Sequence, residues 1–269
     1  LVLASGCNAG ITSDVGGAGG SGNGTGTGLA QSSGNGLAVG TGTMSTGTGT
    51  NNGCIEAATF VYVLSAQNEL YSFQPDKKIF TKVGSLGCST TMQPNSMAVD
   101  RNAVAWVNYV EGDLFGDTDG RVFKVSTTDA SCEPTSIKLD PAWYRLGMGF
   151  ASDAAGGTEE TLFVTGTATI NESPGLGRID FSSNKVVPLG QFDSGLDGQS
   201  AELTGTGDAR LFGFFTTTPI RVAEINKSNG KIASNKALAQ VQTPQAWAFS
   251  FWGGDFYLYT SPDGTSDST

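Results

Sequence analysis

The stretch at residues 96–107, Ser-Met-Ala-Val-Asp-Arg-Asn-Ala-Val-Ala-Trp-Val, decides the fold of this chain. Two short runs rich in Val, Ala, Met and Trp flank a polar Asp-Arg-Asn turn. Short apolar runs of this length on either side of a tight polar turn are typical of two adjacent antiparallel strands. The stretch therefore predicts a β-hairpin.

The same kind of unit recurs along the chain from Thr59 onward. Positions in the third predicted strand of successive units are 52, 55 and 44 residues apart, at Leu70, Val122, Gly177 and Arg221. Repeats of about 40–50 residues with four strands each are typical of a β-propeller. The pattern predicts an all-β fold, a β-propeller of five blades with four antiparallel strands each. A fragment of a six- or seven-bladed propeller is the alternative.

The two ends of the repeat array are incomplete. The first unit lacks its innermost strand, and the last stops after the two strands at 246–249 and 256–259. A propeller closes by completing one blade from both ends of its chain. We therefore expect a C-terminally truncated propeller, whose missing strands come from chain after Thr269.

Residues 1–7, Leu-Val-Leu-Ala-Ser-Gly-Cys, resemble the end of a bacterial lipoprotein signal, in which small residues precede an acylated cysteine. The resemblance implies a signal remnant at 1–7, a lipid on Cys7, and anchoring in the outer membrane or at the cell surface. Residues 1–53 hold 17 of the 39 glycines and one charged residue, Asp14. Such a composition predicts a disordered tether at 8–53, which leaves 54–269 as the propeller domain.

The runs LYSFQPDKKIFTKVG (70–84), SMAVDRNAVAWV (96–107) and AELTGTGDARLFGFF (201–215) are similar to an uncharacterised family of exported bacterial β-propeller proteins, often lipoproteins. This resemblance implies the fold and an exported location, and it brings no catalytic residues with it. One departure is the insert at 109–120, where related sequences have a short turn.

Composition excludes several classes of function. The chain has no histidine, so Ser-His and Cys-His nucleophile pairs are excluded. Its 25 acidic and 15 basic residues give a net charge of −10. This charge opposes binding to phosphate backbones, so nucleic acid is not expected as a partner.

An aromatic and basic group at Trp143, Tyr144 and Arg145 follows the second unit. If it lies at the channel mouth, where propeller ligands bind, it suits a carbohydrate or a peptide. Alternatively, the two rings fill the gap between neighbouring blades. The sequence alone leaves both interpretations open.

Three aspartates in the 109–120 insert are candidate metal ligands, because closely spaced carboxylates on a Gly-containing loop suit Ca²⁺. They are Asp113, Asp117 and Asp119. Their spacing does not match an EF-hand, and a solvated acidic loop is the alternative. No other cofactor is expected.

If Cys7 carries lipid, Cys54, Cys88 and Cys132 remain. An exported protein occupies a compartment in which disulfides persist, and a Cys88–Cys132 disulfide would leave Cys54 over. The predicted strands place Cys88 and Cys132 near opposite strand ends, so the connectivity stays open.

These observations favour a lipid-anchored propeller that acts as a non-enzymatic binding or scaffold module for a protein or carbohydrate partner. The alternative is a carbohydrate-active enzyme, a glycosidase that works through Asp and Glu alone. Such an enzyme needs carboxylates from different blades that converge on the channel, one of them with a raised pKa.

Overall fold

The computed structural model describes residues 2–5, 54–113, 116–166 and 172–261. Within these ranges the chain forms β-strands, loops and two single-turn 3₁₀ helices, at Glu56–Thr59 and Pro141–Trp143. None of the helices in these ranges has the length and apolar character needed to cross a membrane. The prediction of an all-β fold is confirmed.

The first two sheets each contain four antiparallel strands, ordered from the centre of the molecule outward. The first consists of β1 (Val2–Ser5), β2 (Val61–Leu64), β3 (Glu69–Gln74) and β4 (Ile79–Ser85). The second consists of β5 (Gln93–Val99), β6 (Val104–Asp113), β7 (Gly116–Ser126) and β8 (Cys132–Pro134). Strands β5 and β6 form the hairpin that residues 96–107 predict.

Two further four-stranded sheets and one two-stranded sheet follow. The third consists of β9 (Leu146–Ser152), β10 (Glu160–Gly166), β11 (Leu176–Asp180) and β12 (Lys185–Gly190). The fourth consists of β13 (Glu202–Gly205), β14 (Leu211–Phe215), β15 (Arg221–Ile225) and β16 (Ile232–Ala237). The fifth contains β17 (Ala246–Trp252) and β18 (Asp255–Ser261). Each predicted third-strand position lies in the third strand of its sheet.

The innermost strands form a closed ring. Strand β1 packs against β5, β5 against β9, β9 against β13, and β13 against β17, which returns to β1. Radially arranged antiparallel sheets around a ring of inner strands define a β-propeller, so the predicted architecture is confirmed. Four of the five predicted blades have four strands, and the described part of the fifth has two.

The innermost strand of the first sheet comes from the amino-terminal segment. Val2 pairs with Leu64 and Ser5 with Val61 in an antiparallel register. The expectation that chain after Thr269 supplies this strand is therefore wrong, because the extended Val-Leu-Ala-Ser run itself completes the hydrogen-bond ladder. Cys7 and the predicted tether at 8–53 lie outside the described residues, so lipidation and tethering stay predictions.

Two glycines in β9 allow it to lie unusually close to β13. A Cβ atom on Gly147 would lie 1.8 Å from the carbonyl oxygen of Ala201, and one on Gly149 would lie 2.8 Å from that of Leu203. Only a residue without a Cβ permits this approach of two backbones. The two glycines thus set the spacing between the third and fourth blades around the channel.

Cys88 and Cys132 form a disulfide with a Cα–Cα distance of 5.0 Å, the pairing that the sequence leaves open. It joins the connection after β4 to the first residue of β8, and so links the first and second blades.

Candidate active site

The first residues of several innermost strands meet at one end of the ring. Asn95 near the start of β5 donates its side-chain Nδ2–H to the carbonyl oxygen of Leu146, the first residue of β9, at 2.6 Å. One step further along, the backbone N–H of Met148 donates to Ser96 Oγ at 3.1 Å. Glu202, the first residue of β13, lies beside Ser96 and Met148 at this end of the ring. We call the end of the ring formed by these first residues of β5, β9 and β13 the entry end.

The carboxyl group of Glu202 lies where three innermost strands meet. Ser96 on β5 donates its hydroxyl to Glu202 Oε1 at 2.5 Å, across the intervening strand β9. Burial raises the pKa of Glu202 to about 8, although hydrogen bonds from Ser96 and from the Met148 N–H act to lower it. Glu202 can therefore exchange a proton near neutral pH, unlike a surface carboxyl group.

Asn95 projects into the entry end because β5 is irregular at this residue. The pairing of β5 with β6 shifts register between Pro94 and Ser96. Pro94 has no backbone N–H to donate to the hydrogen-bond ladder between the two strands. A register shift of this kind leaves one extra residue, here Asn95, and redirects its side chain. The Asn95 amide also donates to Asn108 Oδ1 at 2.9 Å, and Asn108 in turn accepts the Leu146 N–H at 3.0 Å.

A guanidinium group completes the entry end. Arg145, which directly precedes β9, donates Nη1–H to Asn95 Oδ1 at 3.0 Å. It also forms two parallel hydrogen bonds to Asp117, from Nε to Oδ2 at 3.0 Å and from Nη2 to Oδ1 at 2.7 Å. Asp117 lies on β7, in the long hairpin that extends the second blade. A bidentate pair of this type fixes the plane of the guanidinium.

These groups suit acid–base chemistry on a carbonyl compound. Glu202 supplies a carboxyl group that can take or return a proton at mildly alkaline pH. Arg145, whose guanidinium is held by Asn95 and Asp117, supplies fixed N–H donors for an oxygen that gains negative charge. Ser96 is fully buried and holds Glu202 in place.

The structure separates the predicted aromatic group. Trp143 is only 5% exposed and packs in the apolar core between the second and third blades, with Trp106, Leu146 and Met148. Its indole fills the gap between blades, so of the two interpretations left open the structure agrees with the second. The carbonyl oxygen of Tyr144 accepts a hydrogen bond from Asn108 at 3.0 Å. Of the three predicted residues, Arg145 contributes its side chain to the entry end.

The predicted calcium ligands do not converge. Asp117 is paired with Arg145, whereas Asp119 is paired with Arg121 at 3.0 Å, and Asp113 is exposed. Among the residues that the structure describes, no three Cys, Asp or Glu side chains come together as a metal site. The positive charges of Arg145 and Arg121 offset the negative charges of Asp117 and Asp119, and this weakens the attraction of the hairpin for a cation.

A second ionic cluster lies at the opposite end of the ring, where β5 and β9 finish. Arg101 donates its backbone N–H to Glu160 Oε1 at 2.7 Å, and its Nε lies 3.3 Å from Glu160 Oε2. Its guanidinium also contacts Ser152 Oγ. Burial raises the pKa of Glu160 to about 7 in spite of Arg101. This cluster braces the turn after β5 against the third blade.

Sequence reasoning missed Glu202 and Ser96. Both lie within predicted strands, and neither belongs to a motif. The one available signal is a lone acidic residue in an otherwise small and apolar innermost strand, Ala201 to Thr204. Glu172, Asp193 and Asp197, three carboxylates that a glycosidase could use, lie on connections between strands.

A scan of protein-family models found no match, and neither did a search of curated proteins. Solved structures do resemble this one. A gluconolactonase from Xanthomonas campestris has a TM-score of 0.47 and 11% identity, with 76% of this chain and 66% of that chain covered. The calcium-binding protein regucalcin from Agrobacterium tumefaciens has a TM-score of 0.46 and 12% identity, with 78% and 67% covered. The Dos1 propeller has a TM-score of 0.40 and 11% identity, with 76% and 50% covered.

The chain thus spans about two thirds of the length of the gluconolactonase. One of these structures is described as a propeller, and at this identity a likeness concerns the fold alone. The expectation of a non-enzymatic binding or scaffold module is corrected, because the buried carboxyl group of Glu202, with its raised pKa, agrees better with the alternative, an enzyme.

Proposed function

We propose that this protein is a hydrolase that opens a small, hydroxylated cyclic ester, such as a sugar lactone, at the entry end. The observation that carries the proposal is the carboxyl group of Glu202, held by Ser96 at the junction of three blades with a pKa raised to about 8. A carboxyl group and a guanidinium group at the same end of the ring suit ester hydrolysis. A glycosidase needs two working carboxylates, whereas the carboxylate of Asp117 is bound by Arg145.

In this reaction the Glu202 carboxylate removes a proton from a water molecule as that water attacks the carbonyl carbon of the lactone. The carbonyl oxygen becomes negatively charged and accepts hydrogen bonds from the two N–H groups of Arg145 that Asp117 and Asn95 leave unused. The bond from the carbonyl carbon to the ring oxygen then breaks. The protonated Glu202 returns its proton to that oxygen, which leaves an open-chain hydroxy acid.

The test uses the full chain and a panel of D-glucono-1,5-lactone, other neutral aldonolactones and 4-nitrophenyl glycosides. Proton release, corrected for spontaneous hydrolysis, reports lactone opening. We expect lactone hydrolysis, with kcat/KM reduced about 100-fold or more in Glu202→Gln. The exposed Glu133→Gln serves as the matched control and should be unchanged. Full activity of Glu202→Gln, or hydrolysis of glycosides alone, would overturn the proposal.

We also propose that the protein is exported and held at the outer membrane or cell surface through a lipid on Cys7. The signal-like residues 1–7 support this, and a Cys88–Cys132 disulfide suits an oxidising compartment. Cleavage before Cys7 would remove Val2–Ser5, so the mature lipid-anchored protein would lack β1, and the closed ring of five inner strands would belong to the uncleaved chain. Mass spectrometry of the mature protein tests the proposal: a diacylated amino-terminal cysteine is expected, and an unlipidated Cys7 contradicts it.

A further inference from the structure

The one guanidinium that we place at the entry end is neutralised by a partner from a different part of the second blade. The two parallel hydrogen bonds to Asp117 and the bond to Asn95 occupy three of the five N–H donors of Arg145. Arg145 is 29% exposed at its side chain, whereas Asp117 is 8% exposed. The pair is therefore partly shielded from solvent, and it leaves two N–H donors of Arg145 for a substrate.

Asp117 reaches Arg145 because the second blade carries an extended hairpin. Strands β6 and β7 have 10 and 11 residues, longer than the neighbouring strands β5 and β9, which have 7 each. Two residues further along β7, Asp119 pairs instead with Arg121, and both of these side chains are more than a third exposed. Strand β7 thus carries one aspartate that acts on the entry end and one that does not.

The charge balance of this pair bears on which substrates can bind. The chain as a whole has a net charge of −10, so its field repels anions. With Asp117 ionised, Arg145 adds no net charge to offset this repulsion. Without Asp117, the same guanidinium would be a fixed, half-buried cation able to bind a carboxylate through charge-assisted hydrogen bonds.

We propose that Asp117 is the specificity-determining residue of the entry end, and that by neutralising Arg145 it makes the site select uncharged, hydroxylated substrates over anionic ones. This inference rests on the proposed function for its consequence in catalysis. Its consequence for anion binding does not depend on catalysis and can be measured without a reaction.

Catalytic selectivity is tested with two lactones of similar size, the neutral D-glucono-1,5-lactone and the carboxylate-bearing D-glucaro-1,4-lactone. We expect the unmodified protein to prefer the neutral lactone by about tenfold or more in kcat/KM. Asp117→Asn should remove or reverse this preference, whereas the control Asp119→Asn should keep it. Equal hydrolysis of both lactones by the unmodified protein, or an unchanged ratio in Asp117→Asn, would overturn the inference.

Binding of D-gluconate, measured by calorimetry, tests the same idea without turnover. We expect Asp117→Asn to bind gluconate about tenfold more tightly than the unmodified protein does, and added NaCl should reduce this gain. The double variant Asp117→Asn, Arg145→Gln should lose the gain, and a melting curve checks that each variant folds. If no lactone is hydrolysed, the proposed function fails. If gluconate binding is the same in all variants, the inference on Asp117 fails.

Discussion

At the scale of single residues, Glu202 occupies an environment that a surface carboxyl group never meets. Its carboxyl group lies among three strands of three blades and accepts a short hydrogen bond from a fully buried serine. Desolvation disfavours the charged form, and the two hydrogen bonds only partly offset it, so the pKa is raised to about 8. The same desolvation links the protonation of Glu202 to the stability of the fold.

We predict that the free energy of unfolding falls as pH rises from 5 to 9. The folded-state pKa of Glu202, about 8, is above the unfolded value of 4.5, so the folded protein binds this proton more tightly. The stabilising contribution is complete below pH 4.5 and is lost as pH passes 8, with a size on the order of 5 kcal/mol. Chemical denaturation at several pH values measures it. In Glu202→Gln the fall should be clearly smaller, and an equally steep fall would contradict the prediction.

Trp143 illustrates a side chain whose role changes when its surroundings are known. In the sequence it stands beside Tyr144 and Arg145 and suits a ligand, but in the structure it is part of the core between blades. We predict that Trp143→Ala lowers the free energy of unfolding by about 3–5 kcal/mol, as for other buried aromatic residues. Phe181→Ala, at a side chain that is 44% exposed, is the control and should cost far less. Equal costs for the two variants would argue against a core role for Trp143.

At the scale of strands, close approach of backbones matters as much as side-chain packing. Gly147 lets β9 approach β13 and so brings Met148 and Glu202 to the same level. The register shift at Asn95 has a comparable effect on β5, since it directs one amide into the entry end. Both features place polar groups from separate blades next to one another.

We predict that Gly147→Ala destabilises the protein by about 2 kcal/mol or more, because its Cβ would overlap the carbonyl oxygen of Ala201. Gly87→Ala is the matched control, as a Cβ there would meet nothing within 4 Å. Thermal and chemical unfolding of the two variants measure the difference. A Gly147→Ala protein as stable as Gly87→Ala would show that the two strands are further apart than described.

The sequence predicts the strands well because each is a local pattern. The repeat spacing places the third strands correctly, and the hairpin at 96–107 is formed as expected. Contacts between residues that lie far apart in the sequence leave no such local pattern. Nothing in the run around Glu202 indicates Ser96, which lies 106 residues earlier, and nothing around Asp117 indicates Arg145, 28 residues later. Strand β1 was missed since Val2–Ser5 also suits a signal remnant.

At the scale of the whole molecule, the ring of inner strands and the disulfide have complementary effects. The ring brings the starts of β5, β9 and β13 to one end, where the candidate active site is built. The Cys88–Cys132 disulfide spans 44 residues and ties the first blade to the second. Both restrict how far the blades can move apart.

We predict that replacing both Cys88 and Cys132 by serine lowers the free energy of unfolding by about 4 kcal/mol, the chain-entropy value for a loop of this length. Urea denaturation without reductant compares the double variant with the unmodified protein, and Ser89→Ala is the control. A loss below about 1 kcal/mol would mean that this disulfide adds little to stability.

The pH dependence of lactone hydrolysis tests the role of Glu202 most directly. If Glu202 is the general base, kcat/KM should rise with pH and level off above an apparent pKa near 8, and this step should vanish in Glu202→Gln. A profile that is flat between pH 6 and 9, or one whose step survives in Glu202→Gln, would contradict that role.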